Sequence, residues 1–137
     1  MRGVTFVLLL ALVVAPIAGA ADPVTQTFAA PIDRAWTTTE TVLKHLGWDI
    51  EKADRTIGWI TTESRRLEGD DYGVYAKGTR HRLRIHVKAV DEARTSVSVE
   101  RIMFKRERIL WMDKDEPVAA SDQSVEKELL AAIGKSL

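Results

Sequence analysis

Arg80-His81-Arg82-Leu83-Arg84-Ile85-His86-Val87-Lys88-Ala89 alternates without a break: Leu83, Ile85, Val87 and Ala89 share one parity, and Arg80, Arg82, Arg84, His86 and Lys88 share the other. A period of two puts the two sets on opposite faces of a half-buried strand. After the turn residues Asp91-Glu92-Ala93, Thr95-Ser96-Val97-Ser98-Val99 alternates again. Matching apolar to apolar across that turn pairs Val87 with Val97 and Ile85 with Val99, and sets Arg84 opposite Glu100 on the outer face. An antiparallel hairpin with one wet face is therefore the centre of the fold. Beyond Glu100 the apolar residues Ile102 and Phe104 are even-numbered, which predicts a bulge before the strand runs on, with Ile109 to Met112 as its continuation.

Upstream, Val24 to Phe28 reads as a short strand that stops at Pro31. Ile32, Ala35, Trp36, Thr39, Val42, Leu43 and Leu46 then recur at three- and four-residue steps, an amphipathic helix ending at Gly47. Trp48 and Ile50 open a second strand, Asp54-Arg55-Thr56 turns, and Ile57 to Thr62 forms a third. Trp48 and Trp59 are expected to stack across that hairpin. The segment from Gly69 to Gly78 reads as the longest loop, and Asp113 to Pro117 as a polar break. Ser121 or Ser124 offers the N-cap of a last helix carrying Val125, Leu129, Ala132 and Ile133 on one side. The order β-α-β-β-β-β-α predicts an α+β two-layer domain with an antiparallel sheet and both helices on one face. The expected core holds Trp36, Leu43, Leu46, Ile60, Leu83, Ile85, Val87, Val97, Val99 and Leu129.

At the start of the 137-residue chain, Arg2, an apolar stretch from Val4 to Val14, Pro16 and Ala18-Gly19-Ala20 have the layout of a secretory signal, expected to be cleaved after Ala20. The run is shorter than the roughly 20 residues that cross a bilayer. Residues 21 to 137 are expected to make one domain, located in the periplasm. Nucleic acid is not an expected partner there. The chain has no cysteine, which excludes disulfides, thiolate zinc sites, a thiol nucleophile and an acylated lipoprotein cysteine. Formal charge sums to zero over the chain, and to −1 once Arg2 leaves with the leader.

No catalytic constellation is legible. His45, His81 and His86 have no partner at metal-ligand spacing, the acidic turns lack the spaced pattern of a calcium loop, and the glycines form no phosphate-binding string. The expectation is a protein that is not an enzyme, with no cofactor and no metal. Charge is nevertheless uneven: residues 77 to 108 hold ten Lys or Arg and four acids, a local +6. Arg80, Arg82, Arg84, His86 and Lys88 are the candidate binding stripe, either a solvated face or a docking face for an anionic surface.

Pro31-Ile32-Asp33-Arg34-Ala35-Trp36, then Leu43, Leu46-Gly47-Trp48-Asp49-Ile50 and Asp54-Arg55-Thr56-Ile57-Gly58-Trp59-Ile60-Thr61, resembles the repeated domain of the BamC family. In that family a helix with an early Trp leads to a Leu-Gly-aromatic ending, and an Asp-Arg turn leads to a Gly-aromatic strand. The resemblance implies a helix-grip fold and a role as a protein-interaction accessory in outer-membrane β-barrel assembly or envelope maintenance, with an envelope protein as partner. Family members are lipoproteins with two such domains; here a single, non-lipidated domain is expected. The alternative is a periplasmic domain that binds a small molecule or lipid between helix and sheet, which needs an enclosed apolar cavity of about 300 Å³ or more.

Overall fold

The computed structural model describes residues 22 to 120 and 122 to 137. The leader with its cleavage site, and Ser121 as a cap, lie outside the described residues. The chain is an α+β fold: β1 (Val24–Phe28), α1 (Ile32–His45), β2 (Ile50–Asp54), β3 (Trp59–Thr62), β4 (Arg65–Asp71), β5 (Ala76–Ala89), β6 (Thr95–Ile109), β7 (Met112–Pro117) and α2 (Ser124–Ser136). All seven strands join one antiparallel sheet of order β1-β6-β5-β3-β2, with β4 also paired to β5 and β7 to β6. No helix among the described residues is long and apolar enough to cross a membrane.

The long β5–β6 hairpin is the spine of the sheet, and its register is the one apolar matching requires: Val87 opposite Val97, Ile85 opposite Val99, Arg84 opposite Glu100. Its odd-numbered side chains enter one core with Ala35, Trp36, Val42 and Leu43 of α1 and Leu129, Leu130 and Ile133 of α2, so both helices pack on the same side. Among the described residues this core draws on positions 24 to 137. Helix α1 runs as its pattern dictates, with Asp33 in the first turn, Lys44 and His45 in the last, and Gly47 at φ +83° just beyond its end. At the β2–β3 turn Gly58 is also left-handed, and it sits where a Cβ would strike the Val87 carbonyl. Its own carbonyl accepts the Val87 N–H at 2.8 Å, which ties that turn to the spine.

Several expectations need correction. The described residues form seven strands, not five, because the presumed loop from Gly69 to Gly78 holds the end of β4, a short turn and the start of β5, and the polar break is β7. Neither β4 nor β7 shows an apolar period, since both lie on the half of the sheet beyond the helices and have no core to face. Ile109 to Met112 is not strand continuation but the β6–β7 turn. The bulge after Glu100 is absent, as β5 and β6 stay in register from Ala76–Arg108 to Ala89–Thr95. Parity therefore sends Arg101 inward and Ile102 and Phe104 outward. Trp48 does not stack on Trp59: it is buried ahead of β2, whereas Trp59 lies on the outer face against His86. Ser124 is the first residue of α2, with Gln123 at the cap position, and Leu46 is only half-buried.

Candidate functional site

Arg80, Arg82, Arg84, His86 and Lys88 stand on the outer face of β5, away from the helices, with side chains on every second residue. Arg80 donates from Nε to Ser64 Oγ and from Nη2 to the Ser64 carbonyl, both at 2.8 Å. Arg82 lies 5.7 Å from the ring of Phe104 and Arg84 lies 4.7 Å from that of Trp59. On the same side of the sheet His86 stacks on Trp59, centroids 4.4 Å apart and planes 15° from parallel. Arg84 thus lies on an aromatic ring, and although Glu100 is in register with it the two form no ion pair.

The cations of β6 are placed differently. Arg106 donates to both carboxylate oxygens of Asp115, and Arg108 binds Asp113 at 2.6 Å and Asp71 at 3.2 Å. Hydrogen bonds from Arg106 hold the Asp115 carboxyl below its usual range. Among the described residues Arg80, Arg82, Arg84 and Lys88 make no ion pair. The acids of β7 neutralise one end of the outer face and leave the β5 stripe positive.

A second cluster escaped the sequence reading. Arg101 and His81 occupy core-facing positions, and Glu126 of α2 is fully buried opposite them. Arg101 Nε is 3.3 Å from Glu126 Oε1, and its Nη1 donates to His81 Nδ1 at 3.4 Å. His81 packs on Trp48, over whose ring the Arg65 guanidinium lies 3.4 Å from the centroid. Burial, then the charges of Arg101 and Arg65, lower the His81 pKa to about 4, and burial raises that of Glu126. Two signals were present in the sequence. Arg101 continues the parity of Val97 and Val99, and Glu126 stands three, four and seven residues before Leu129, Leu130 and Ile133, on the buried stripe of α2.

A space of about 490 Å³ lies on strands β4 to β7 rather than between helices and sheet. Charges of both signs line it, among them Glu68, Asp70, Lys77, Lys105, Glu107 and Lys114. Its floor is backbone, because β4 and β5 meet at Gly69 and Gly78, where a Cβ on either would strike the other strand.

No family model and no curated protein matches the chain. Two solved structures similar to it are an uncharacterised protein from Bacillus thuringiensis and a point mutant of norcoclaurine synthase from Thalictrum flavum in complex with a transition-state analogue. The first is 12% identical, with 85% of this chain and 92% of that chain covered and a TM-score of 0.34. For the second the identity is 13%, the coverage 90% and 93%, and the TM-score 0.38. Neither bears the name of a BamC protein. The expectation that the chain is not an enzyme is corrected here: norcoclaurine synthase is by name an enzyme, and the expectation is withdrawn.

Proposed function

We propose that this protein is a periplasmic docking module that presents the outer face of its sheet to an anionic partner, in the manner of a BamC-like accessory of outer-membrane protein assembly or envelope maintenance. The observation that carries the reading is the run of four unpaired cations on alternate positions of β5. From Arg80 to Lys88 the stripe extends ~27 Å, at the rise of a β-strand. A stripe of one sign raises the rate at which an acidic surface finds it and sets the orientation of docking. An antiparallel sheet with two helices packed on one side agrees with the helix-grip fold that the resemblance to BamC domains over residues 28 to 62 implies.

A small molecule held between helices and sheet is the weaker reading, because Leu43, Ile60, Leu83, Ile85 and Ile133 fill that space with no exposed area. The test is in-cell crosslinking from the stripe, followed by identification of the captured proteins. Arg80 is held by Ser64, so the variant to compare is Arg82→Gln, Arg84→Gln and Lys88→Gln together, checked for an unchanged melting temperature. An outer-membrane or assembly protein captured by the natural chain and lost in the variant is the expected result. Capture that is equally strong and equally salt-sensitive in both would reduce the stripe to a solvated surface.

A further inference from the structure

The far end of the sheet carries two adjacent turns with no charged residue in either. Tyr72-Gly73-Val74-Tyr75 links β4 to β5, and Leu110-Trp111, flanked by Ile109 and Met112, links β6 to β7. The Trp111 N–H donates to the Val74 carbonyl at 3.3 Å, so the two turns form one apex. Tyr72, Tyr75, Ile109, Leu110, Trp111 and Met112 are all exposed there. In a chain that is 29% charged, such an exposed cluster at one end of the sheet is a feature to be explained.

The backbone sharpens the point. Leu110 at φ +50° and Trp111 at φ +69° are consecutive left-handed residues in a two-residue hairpin loop, a conformation that favours Asn-Gly and penalises bulky side chains. Neither gains burial in exchange, since Leu110 is 63% and Trp111 73% exposed. The Trp111 N–H bond to Val74 is a backbone contact, so neither side chain offsets the strain it adds.

We propose that this apex inserts into the interface of a phospholipid bilayer, independently of the basic stripe. Three observations favour lipid as the occupant. The apex presents six large exposed side chains, whereas a stable protein interface takes roughly 20–30 residues a side. Its residue types, two tyrosines and a tryptophan among aliphatic side chains, are those that settle at the level of lipid headgroups. Its charges match a neutral membrane: Arg108 straps the two turns together through the Gly73 carbonyl, Asp71 and Asp113, so the ions nearest the apex are already paired. One step back, Asp70, Lys77, Glu107 and Lys114 stand side by side across the four strands with alternating sign.

The test uses the chain from Asp22 onward, whose core is closed by residues 24 to 137, with vesicles of phosphatidylcholine alone and of phosphatidylcholine with phosphatidylglycerol. Binding is read by co-sedimentation and by tryptophan emission with brominated lipid as quencher. The comparison is Leu110→Asn with Trp111→Gly, which supplies the residues this turn favours and so keeps or raises the melting temperature. The natural chain is expected to bind neutral vesicles, with a blue-shifted and quenched emission that is insensitive to salt. The double variant is expected to bind them at least about tenfold more weakly. The stripe variant Arg82→Gln, Arg84→Gln, Lys88→Gln is expected to bind them undiminished. No binding by the natural chain, or equal binding by the double variant, would overturn the proposal. So would binding that requires phosphatidylglycerol and vanishes with salt, which belongs to the stripe, or a self-association abolished by the double variant, which makes a second copy the occupant.

Discussion

Arg101 of β6 and Glu126 of α2 face each other inside the protein, Nε 3.3 Å from Oε1, with neither carboxylate oxygen hydrogen-bonded. Arg101 reaches further with its other nitrogens, to His81 Nδ1 and to the Asp122 carbonyl at 3.3 Å. A guanidinium only donates, so His81 Nδ1 accepts and the neutral ring carries its proton on Nε2. Ahead of the apolar stripe of α2, the pair pins the first turn of that helix to the sheet.

The two partners are expected to differ when removed singly. Glu126→Gln leaves a buried guanidinium that cannot lose its charge and keeps only the more exposed Asp122 carboxylate, 3.8 Å away, as an ionic partner, so up to about 3–5 kcal/mol of stability should go with it. Arg101→Met leaves a carboxyl that is able to take up a proton, and should cost less at pH 5 than at pH 8. The double change to Arg101→Met with Glu126→Leu should recover most of the loss. Denaturant unfolding at both pH values measures all three; an Arg101→Met cost that does not move with pH would remove Glu126 as the responsive group.

The acid limb of the stability curve is expected to come from His81. Its pKa is lowered to about 4 in the folded chain, so the neutral ring contributes stability that is complete above pH 6.5 and lost as pH falls through about 4. The loss should approach about 3 kcal/mol once pH is below both values. Glu126 acts the other way, because a raised pKa gives a contribution that is complete below the usual carboxylate range and lost as pH rises through the raised value. His81→Phe, which keeps a ring against Trp48, should flatten the fall in stability between pH 6.5 and 4. A slope identical to that of the natural chain would assign the limb to other groups.

Truncating the spine should be costly where it meets the helices. Ile85→Ala and Leu43→Ala each remove a side chain with no exposed area and should cost about 2–5 kcal/mol by denaturant unfolding. A loss under about 0.5 kcal/mol, the usual range at the surface, would contradict that packing.

Gly58 and Gly73 separate backbone strain from collision. Both have positive φ, +79° and +81°, yet a Cβ at Gly58 would strike the Val87 carbonyl and one at Gly73 would meet nothing. Gly73→Ala should cost about 1 kcal/mol, from its left-handed backbone alone. Gly58→Ala should cost clearly more and weaken the β3–β5 pairing, visible as faster amide exchange of Val87. Equal costs would mean that the turn shifts freely to admit the methyl group.

Helix α1, the β5–β6 register and the outward stripe from Arg80 to Lys88 were legible because each is written in a local period: 3.6 residues for the helix, two for the strands. Where a strand had no core to face, as in β4 and β7, the period was missing and the pairing could not be read. The charged pair misled in a related way. Arg101 sits at a core parity, but an arginine there reads as a slip of register until its counterion is known, and Glu126 is 25 positions away.

The amino-acid sequence by itself thus determined which residues form the spine and which face of it is wet, since alternation of polarity along one strand is decided by neighbours two residues apart. Tertiary structure alone decided what those faces meet. Arg101 is tolerable inside because α2 delivers the Glu126 carboxylate to it and Asp122, just ahead of that helix, brings a second to 3.8 Å, and the aromatic apex exists only because the β4–β5 and β6–β7 turns arrive at the same end of the sheet. Contacts between residues far apart in the chain depend on how the layers close, and no local period encodes that.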